Sequence, residues 1–188
     1  MKKILNGKKV LLGVTGGIAA YKSADIINKL SYYGASVKVI MTRNACQFIT
    51  PLTLETLSKN LVITDMFADK KSWEPEHISL AQEADICLIA PATANIIGKV
   101  SNGIADDMLT TTIMAIPELT PVVFAPAMNT HMYNNPIVQN NIQTLKGYNK
   151  YYFVQPASGR LACGDTGTGK LAKVDDIIDV VETVLSKE

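Results

Sequence analysis

Four strand-length apolar runs recur along this chain, KVLLGV at 9–14, VKVIM at 37–41, DICLIA at 85–90 and PVVFA at 121–125. Helix-patterned stretches separate them, and this alternation constrains the fold more than any other feature. Strands that alternate with helices build βαβ units, a parallel sheet and helices on both of its faces. The pattern predicts a helical stretch from Gly16-Gly17 to about Tyr33, ended by Gly34, and a second from about Asn44 that Pro51 divides in two. Leu61–Thr64 reads as a short strand, residues 68–76 as a polar loop, and Ile78–Ala84 as a short helix that His77 begins. Thr93–Val100, Asp106–Ile116 and Asn134–Leu145 read as helices, and Tyr152–Gln155 as a strand. A glycine-dense loop at 156–170 then leads into a last helix at about Val174–Leu185. No repeat, low-complexity tract or linker interrupts the 188 residues, so one domain over 1–188 is expected.

Bulk properties exclude several classes. With 47% hydrophobic and 19% charged residues the chain is globular. A net charge of +1 supplies no general attraction to nucleic acid or to a membrane surface. The apolar runs are too short to span a bilayer, and MKKILNGKK lacks the apolar core of a signal peptide, so a cytoplasmic protein is expected. Three scattered cysteines, Cys46, Cys87 and Cys163, make neither a disulfide framework nor a zinc site, and no metal is expected. Cys87, inside an apolar run, reads as a small buried hydrophobe and Cys46 as structural or incidental. Cys163 stands apart, because loop-forming residues surround it.

Open parallel sheets bind ligands beyond the carboxyl ends of their strands. The unusual residues of this chain fall there, at Gly13–Gly17, Met41–Arg43, Ala90–Asn95, Ala125–Asn129 and Pro156–Gly159. The turn Gly13-Val-Thr-Gly-Gly opens a helix, where backbone amides favour an anion, although the same glycines also suit a tight turn alone. The spacing is not that of a dinucleotide fingerprint, and no acid stands about 20 residues on to hold a ribose. Arg43 leaves room for a phosphorylated dinucleotide, but a mononucleotide such as flavin mononucleotide (FMN) suits Thr42, Arg43 and a second helix start better. Thr93 and Asn95 can donate to ring carbonyls, and the small Ala92 and Ala94 admit a flat ring; the competing reading is a Thr93 helix cap and a Ser101-Asn102-Gly103 turn. Asn129 can cap a helix or hold a carboxylate through its amide. His77 reads as a helix-edge residue or a base, His131 as structural, and Trp73, in a polar loop, as an anchor, an interface residue or plain packing.

Taken together, GVTGGIAAYK (13–22), PATAN (91–95), PAMNTHMY (126–133) and GRLACGDTGTGK (159–170), with His77 between the first two, resemble the homo-oligomeric flavin-containing cysteine decarboxylases, above all those of coenzyme A synthesis. The resemblance runs from Lys9 to the last helix. It implies a three-layer, Rossmann-like (flavodoxin-like) doubly wound α/β sheet with FMN as cofactor. The implied reaction oxidises a cysteinyl thiol to a thioaldehyde. That electron sink releases carbon dioxide from the adjacent carboxylate, and the resulting enethiolate is reduced again.

Carried over by position, the resemblance makes His77 the active-site base and Cys163 the acid that protonates the enethiolate. It makes Asn129 the holder of the substrate carboxylate, with Met132, Ala162 and Lys170 as further substrate contacts. Thr15, Gly16, Gly17, Thr42, Pro91, Thr93, Asn95 and Met128 become FMN contacts, and Gly159, Gly164, Gly167 and Gly169 hinges of a flap. It further implies a trimer or dodecamer in which His77 serves a neighbouring subunit's flavin. Because the sequence closes after one domain, a separate synthetase is expected to supply the substrate. The chain departs from the family pattern at Thr93, where serine is usual, at Ile96, where threonine is, and at Lys170, where arginine is common. Lysine keeps the charge but gives up bidentate phosphate binding. Four other readings are weaker. A peptidyl-cysteine decarboxylase tends to have Trp where Tyr133 stands, and a regulatory relative usually loses the cysteine. A flavin prenyltransferase lacks this motif combination, and a dehydrogenase needs the missing acid.

Overall fold

A computed structural model describes residues 3–67, 76–160, 164 and 166–187. Six parallel strands form one sheet in the order β3-β2-β1-β4-β5-β6. They are β1 (Lys9–Val14), β2 (Ser36–Met41), β3 (Val62–Ile63), β4 (Ile86–Ala92), β5 (Val122–Pro126) and β6 (Tyr151–Phe153). The order reverses direction at β1 and β4, which makes the sheet doubly wound and puts a crevice at the carboxyl ends of these two strands. β4 lies at the centre with all seven residues buried, which is why its sequence is continuously apolar instead of alternating.

Helices cover both faces. α1 (Ser23–Tyr32), α2 (Pro51–Ser58) and α8 (Val174–Leu185) bury Ile26, Ile27, Leu30, Leu54, Ile177 and Val181 against Val10, Leu12, Val39 and Leu88 on one side. On the other, α3 (Glu76–Glu83), α4 (Ala94–Ser101), α5 (Met108–Ala115) and α7 (Pro136–Lys146) bury Leu80, Ile97, Leu109, Ile113 and Ile142 against Leu11, Ile40, Ile89 and Phe124. Each such side chain contributes about 1.5–3 kcal/mol by leaving water. Among the described residues no helix is long and apolar enough to cross a membrane.

Local chemistry sets most helix starts. Thr93 caps α4 by accepting from the Ile96 N–H, Asp107 caps α5 in a capping box with Thr110, and Asn135 caps α7 ahead of Pro136. β1 and α8 match their expected bounds, and the other predicted strands and helices shift by a few residues. The predicted polar loop lies mostly outside the described residues, and Trp73 with it.

Two expectations need correction. Residues 156–170 are not a plain loop: Ala157–Arg160 (β7) pairs antiparallel with Thr166–Lys170 (β8). The alternation Thr-Gly-Thr-Gly-Lys has strand period, and the glycines suppressed the usual strand signal. A four-residue helical turn, α6 (Thr130–Tyr133), also precedes α7, because Asn129 and Asn135 each start a separate helix.

Candidate active site

The loops that leave the carboxyl ends of the strands are stitched to one another in spatial order. Between β2 and β1, the Thr42 N–H donates to the Val14 carbonyl at 3.0 Å. Thr42 Oγ1 accepts from the Ala45 N–H at 3.3 Å. Gly16 lies so close to Asn44 that a Cβ there would stand 2.9 Å from the Asn44 carbonyl carbon. Only glycine allows this approach. Between β1 and β4, the buried Thr15 hydroxyl donates to the Pro91 carbonyl at 2.6 Å and accepts from the Thr93 N–H at 3.2 Å. Ser23 adds a bond to the Ala90 carbonyl at 3.2 Å, and the Ala90–Pro91 peptide is cis. Between β4 and β5, the Ala127 N–H donates to the Ala92 carbonyl at 3.0 Å. Beyond β5, the Met128 N–H donates to the Gly169 carbonyl of β8 at 2.9 Å.

This row is where the expected cofactor residues meet. Thr15, Gly16, Gly17, Thr42, Pro91, Thr93, Asn95 and Met128 all lie on it. The Thr15 side chain is committed to joining two loops, so a ligand would meet its backbone and not its hydroxyl. A Cβ on Gly17 would touch nothing nearer than Thr93 Cγ2 at 3.8 Å, so open space lies over this turn. Segments 13–17, 41–44, 90–95 and 125–132 contain no Asp or Glu and carry Arg43. An acid-free, amide-rich rim suits a bound phosphate. Open space beside Thr93, with small Ala92 and Ala94 next to it, suits a flat ring.

Asn129 closes the row. It caps α6, and its Oδ1 accepts from the His131 N–H at 2.8 Å. With the oxygen so engaged, the other branch of the amide is the NH2 donor. Met132 is exposed on α6, and Lys170 is exposed at the end of β8, paired with Ala157. Cys163 and Ala162 lie outside the described residues.

His77 stands apart. Glu83, at the end of α3, pairs with Lys38 and Lys9 at the amino ends of β2 and β1, at 3.0 and 3.7 Å. The opposite end of α3, with half-buried His77, therefore points to the carboxyl-end side. α3 packs on α5 and β1. β5, which leads to Asn129, is two strands over from β1, or roughly 10 Å of sheet width. Among the described residues, no hydrogen bond or ion pair joins His77 to Asn129.

Comparison with known proteins decides the family, because the Flavoprotein family matches residues 1–186. The chain belongs to the Flavoprotein family. A probable phosphopantothenoylcysteine decarboxylase of Streptococcus mutans is 48% identical over 178 residues, 95% of this chain and 99% of that protein. The coenzyme A biosynthesis bifunctional protein CoaBC of Bacillus subtilis is 48% identical over 185 residues, 98% of this chain but 45% of that protein. The chain thus spans about half the length of the bifunctional relatives. Among solved structures, a cysteine-to-serine mutant of PPC decarboxylase complexed with pantothenoylaminoethenethiol superposes with a TM-score of 0.86 at 30% identity, covering 96% of this chain and all of that one. The FMN-binding protein AtHal3 gives 0.83 at 30% identity, covering 97% and 99%. As a Flavoprotein, the chain calls for a flavin, and the stitched row with its open turn fits one.

Sequence reasoning missed the residues that tie the row together. Ser23 and Asn44 lie outside the motifs, and Thr130, inside PAMNTHMY, had no role assigned to it. Only the period-two glycines of β8 hinted that something lies flat against that strand.

Proposed function

We propose that the chain catalyses the FMN-dependent decarboxylation of 4'-phosphopantothenoylcysteine to 4'-phosphopantetheine in coenzyme A biosynthesis. The observation that carries this reading is Asn129, fixed through Oδ1 at the end of β5 beside a row of acid-free loops. The near full-length likeness to the Streptococcus mutans relative supports the choice of substrate. When bound, FMN supplies a two-electron oxidation of the substrate thiol to a thioaldehyde and later returns the electron pair.

The chain's own groups do the rest. Gly16, Gly17, Thr42, Pro91, Thr93, Asn95 and Met128, with the Thr15 backbone, hold the cofactor against the strand ends. The Asn129 amide donates to the substrate carboxylate and aims the breaking C–C bond. As that bond breaks, charge leaves the carboxylate for the sulfur, so the grip of Asn129 on the departing carbon dioxide weakens. A ring nitrogen of His77 accepts the thiol proton. Cys163 gives its thiol proton to the enethiolate carbon during the final reduction. Lys170 meets the phosphate as a point charge, and Met132 and Ala162 lie along the pantothenoyl arm.

His77 serves a neighbouring subunit in this reading. The exposed Ile18, Tyr21, Phe48 and Leu52 beside the loops support that. A homo-oligomer, trimer or dodecamer, in the cytoplasm with a separate synthetase completes the proposal. The test is carbon dioxide release from phosphopantothenoylcysteine set against release from a cysteine-ending peptide. Purified protein is expected to be yellow and to prefer the former. Release from the peptide alone makes the chain a peptidyl-cysteine decarboxylase. A colourless protein that takes up no FMN overturns both.

A further inference from the structure

The hairpin glycines do not all serve the same purpose. Gly159, Gly164 and Gly169 have φ of +153°, +94° and +142°, which side chains rarely adopt. Gly169 also sits where the β7/β8 register shifts, opposite the Ala157–Ser158 step. Gly167 is not among the positive-φ glycines, so backbone freedom does not explain it. What surrounds it does. A Cβ at Gly167 would stand 2.5 Å from Thr130 Oγ1 and 2.7 Å from Thr130 Cγ2. A Cβ at Gly169 would run into the Met128 carbonyl oxygen. β8 thus lies flat on residues 128–130, and the Met128 N–H bonds to the Gly169 carbonyl at 2.9 Å. Asn129 stands between the two contact points.

Thr130 adds an independent sign. Its Oγ1 is buried and has no hydrogen-bond partner among the described residues. With no partner among the described residues, the Thr130 side chain contributes here by its volume, which fills the space over Gly167.

We infer that Gly167 is a positioning residue for the reaction: its bare face seats β8 on residues 128–130 and thereby fixes the direction of the Asn129 amide. The inference rests on reading Asn129 as the carboxylate anchor. It replaces the hinge role that sequence assigns to Gly167 with a steric one. A hinge glycine is lost by any substitution, whereas a contact glycine is rescued by removing what its new side chain strikes.

The experiment is a double-mutant cycle on the FMN-loaded protein, with Gly167→Ala, Thr130→Ala and the pair. Three quantities are read: KM and kcat for phosphopantothenoylcysteine, flavin content, and hydrogen exchange of the Met128 amide. Gly167→Ala is expected to raise KM roughly tenfold or more with a smaller change in kcat, the signature of lost substrate binding. It should keep its flavin and speed Met128 exchange. Thr130→Ala alone loosens the contact without pushing the strand away, so its KM moves less than that of Gly167→Ala. The pair should regain most of the lost KM and the lost protection.

An unmoved KM in Gly167→Ala, or no rescue in the pair, overturns the inference, as does faster exchange without a change in KM. If Gly167→Ala does not fold, Thr130→Leu presses on the same contact from the other side. It must raise KM and speed exchange, and a Thr130→Leu protein that matches Thr130→Ala overturns the inference. Wild-type protein that releases no carbon dioxide from phosphopantothenoylcysteine sinks the decarboxylase reading instead. Met128 exchange and its rescue still judge the contact in that case.

Discussion

The Thr15 hydroxyl spans from β1 to β4, donating to the Pro91 carbonyl at 2.6 Å while accepting from the Thr93 N–H at 3.2 Å. One side chain, 2% exposed, thereby locks the two loops that border the crevice. Thr15→Val keeps the shape but strands both partners, so it should cost about 1–3 kcal/mol of stability. Flavin content should fall with it, because the loops spread. Thr15→Ser should retain both properties. Urea unfolding and the ratio of flavin to protein absorbance check this, and a Thr15→Val protein with wild-type values of both refutes it.

Asn129→Asp separates folding from chemistry. An aspartate oxygen can still accept from the His131 N–H, so the helix start survives and the melting temperature should stay close to wild type. The donor branch becomes a second anionic oxygen facing a carboxylate. Like charges so placed cost several kcal/mol, so kcat/KM should fall by roughly a hundredfold or more. Turnover close to wild type would remove Asn129 from the site.

Cys163→Ser should still release carbon dioxide but stall before the last reduction, so that an enethiol product accumulates. Mass spectrometry of the product distinguishes this from a general loss of activity. A serine variant that yields fully reduced product shows that the proton comes from elsewhere.

Acid should weaken the start of α5. Burial pushes the Asp107 carboxyl up, but bonds from the Thr110 backbone and side chain and the Lys99 ammonium outweigh it and hold the group below its usual range. A carboxylate held low in the folded chain stabilises at pH above its unfolded value. That contribution is lost as pH falls from about 5 through the folded value. Asp107→Asn should keep the cap and flatten this acid limb, whereas Asp107→Ala should cost about 1 kcal/mol at neutral pH. Melting temperatures from pH 3 to pH 7 decide it, and parallel acid limbs for wild type and Asp107→Asn rule it out.

What the sequence made legible followed from period and spacing. β1 and β4 could be read because their apolar runs are long and bounded by turn residues, and α8 because its apolar positions repeat every three to four residues. The row of strand-end loops followed from those elements by topology. The hairpin at 157–170 could not be read this way, because its glycines look like loop until their alternation is set against what they touch. The tie between Thr15 and Pro91 was hidden for a different reason. It joins residues 76 positions apart, and no local pattern records such a bond.

The outermost strands of the sheet, β3 and β6, are two and three residues long. Each rim therefore offers only a short row of main-chain groups to another polypeptide, too little to template edge-to-edge growth. In the proposed homo-oligomer, copies would join through side chains, each keeping a six-stranded sheet of its own. Crowding the protein at high concentration should accordingly give discrete particles, not fibres.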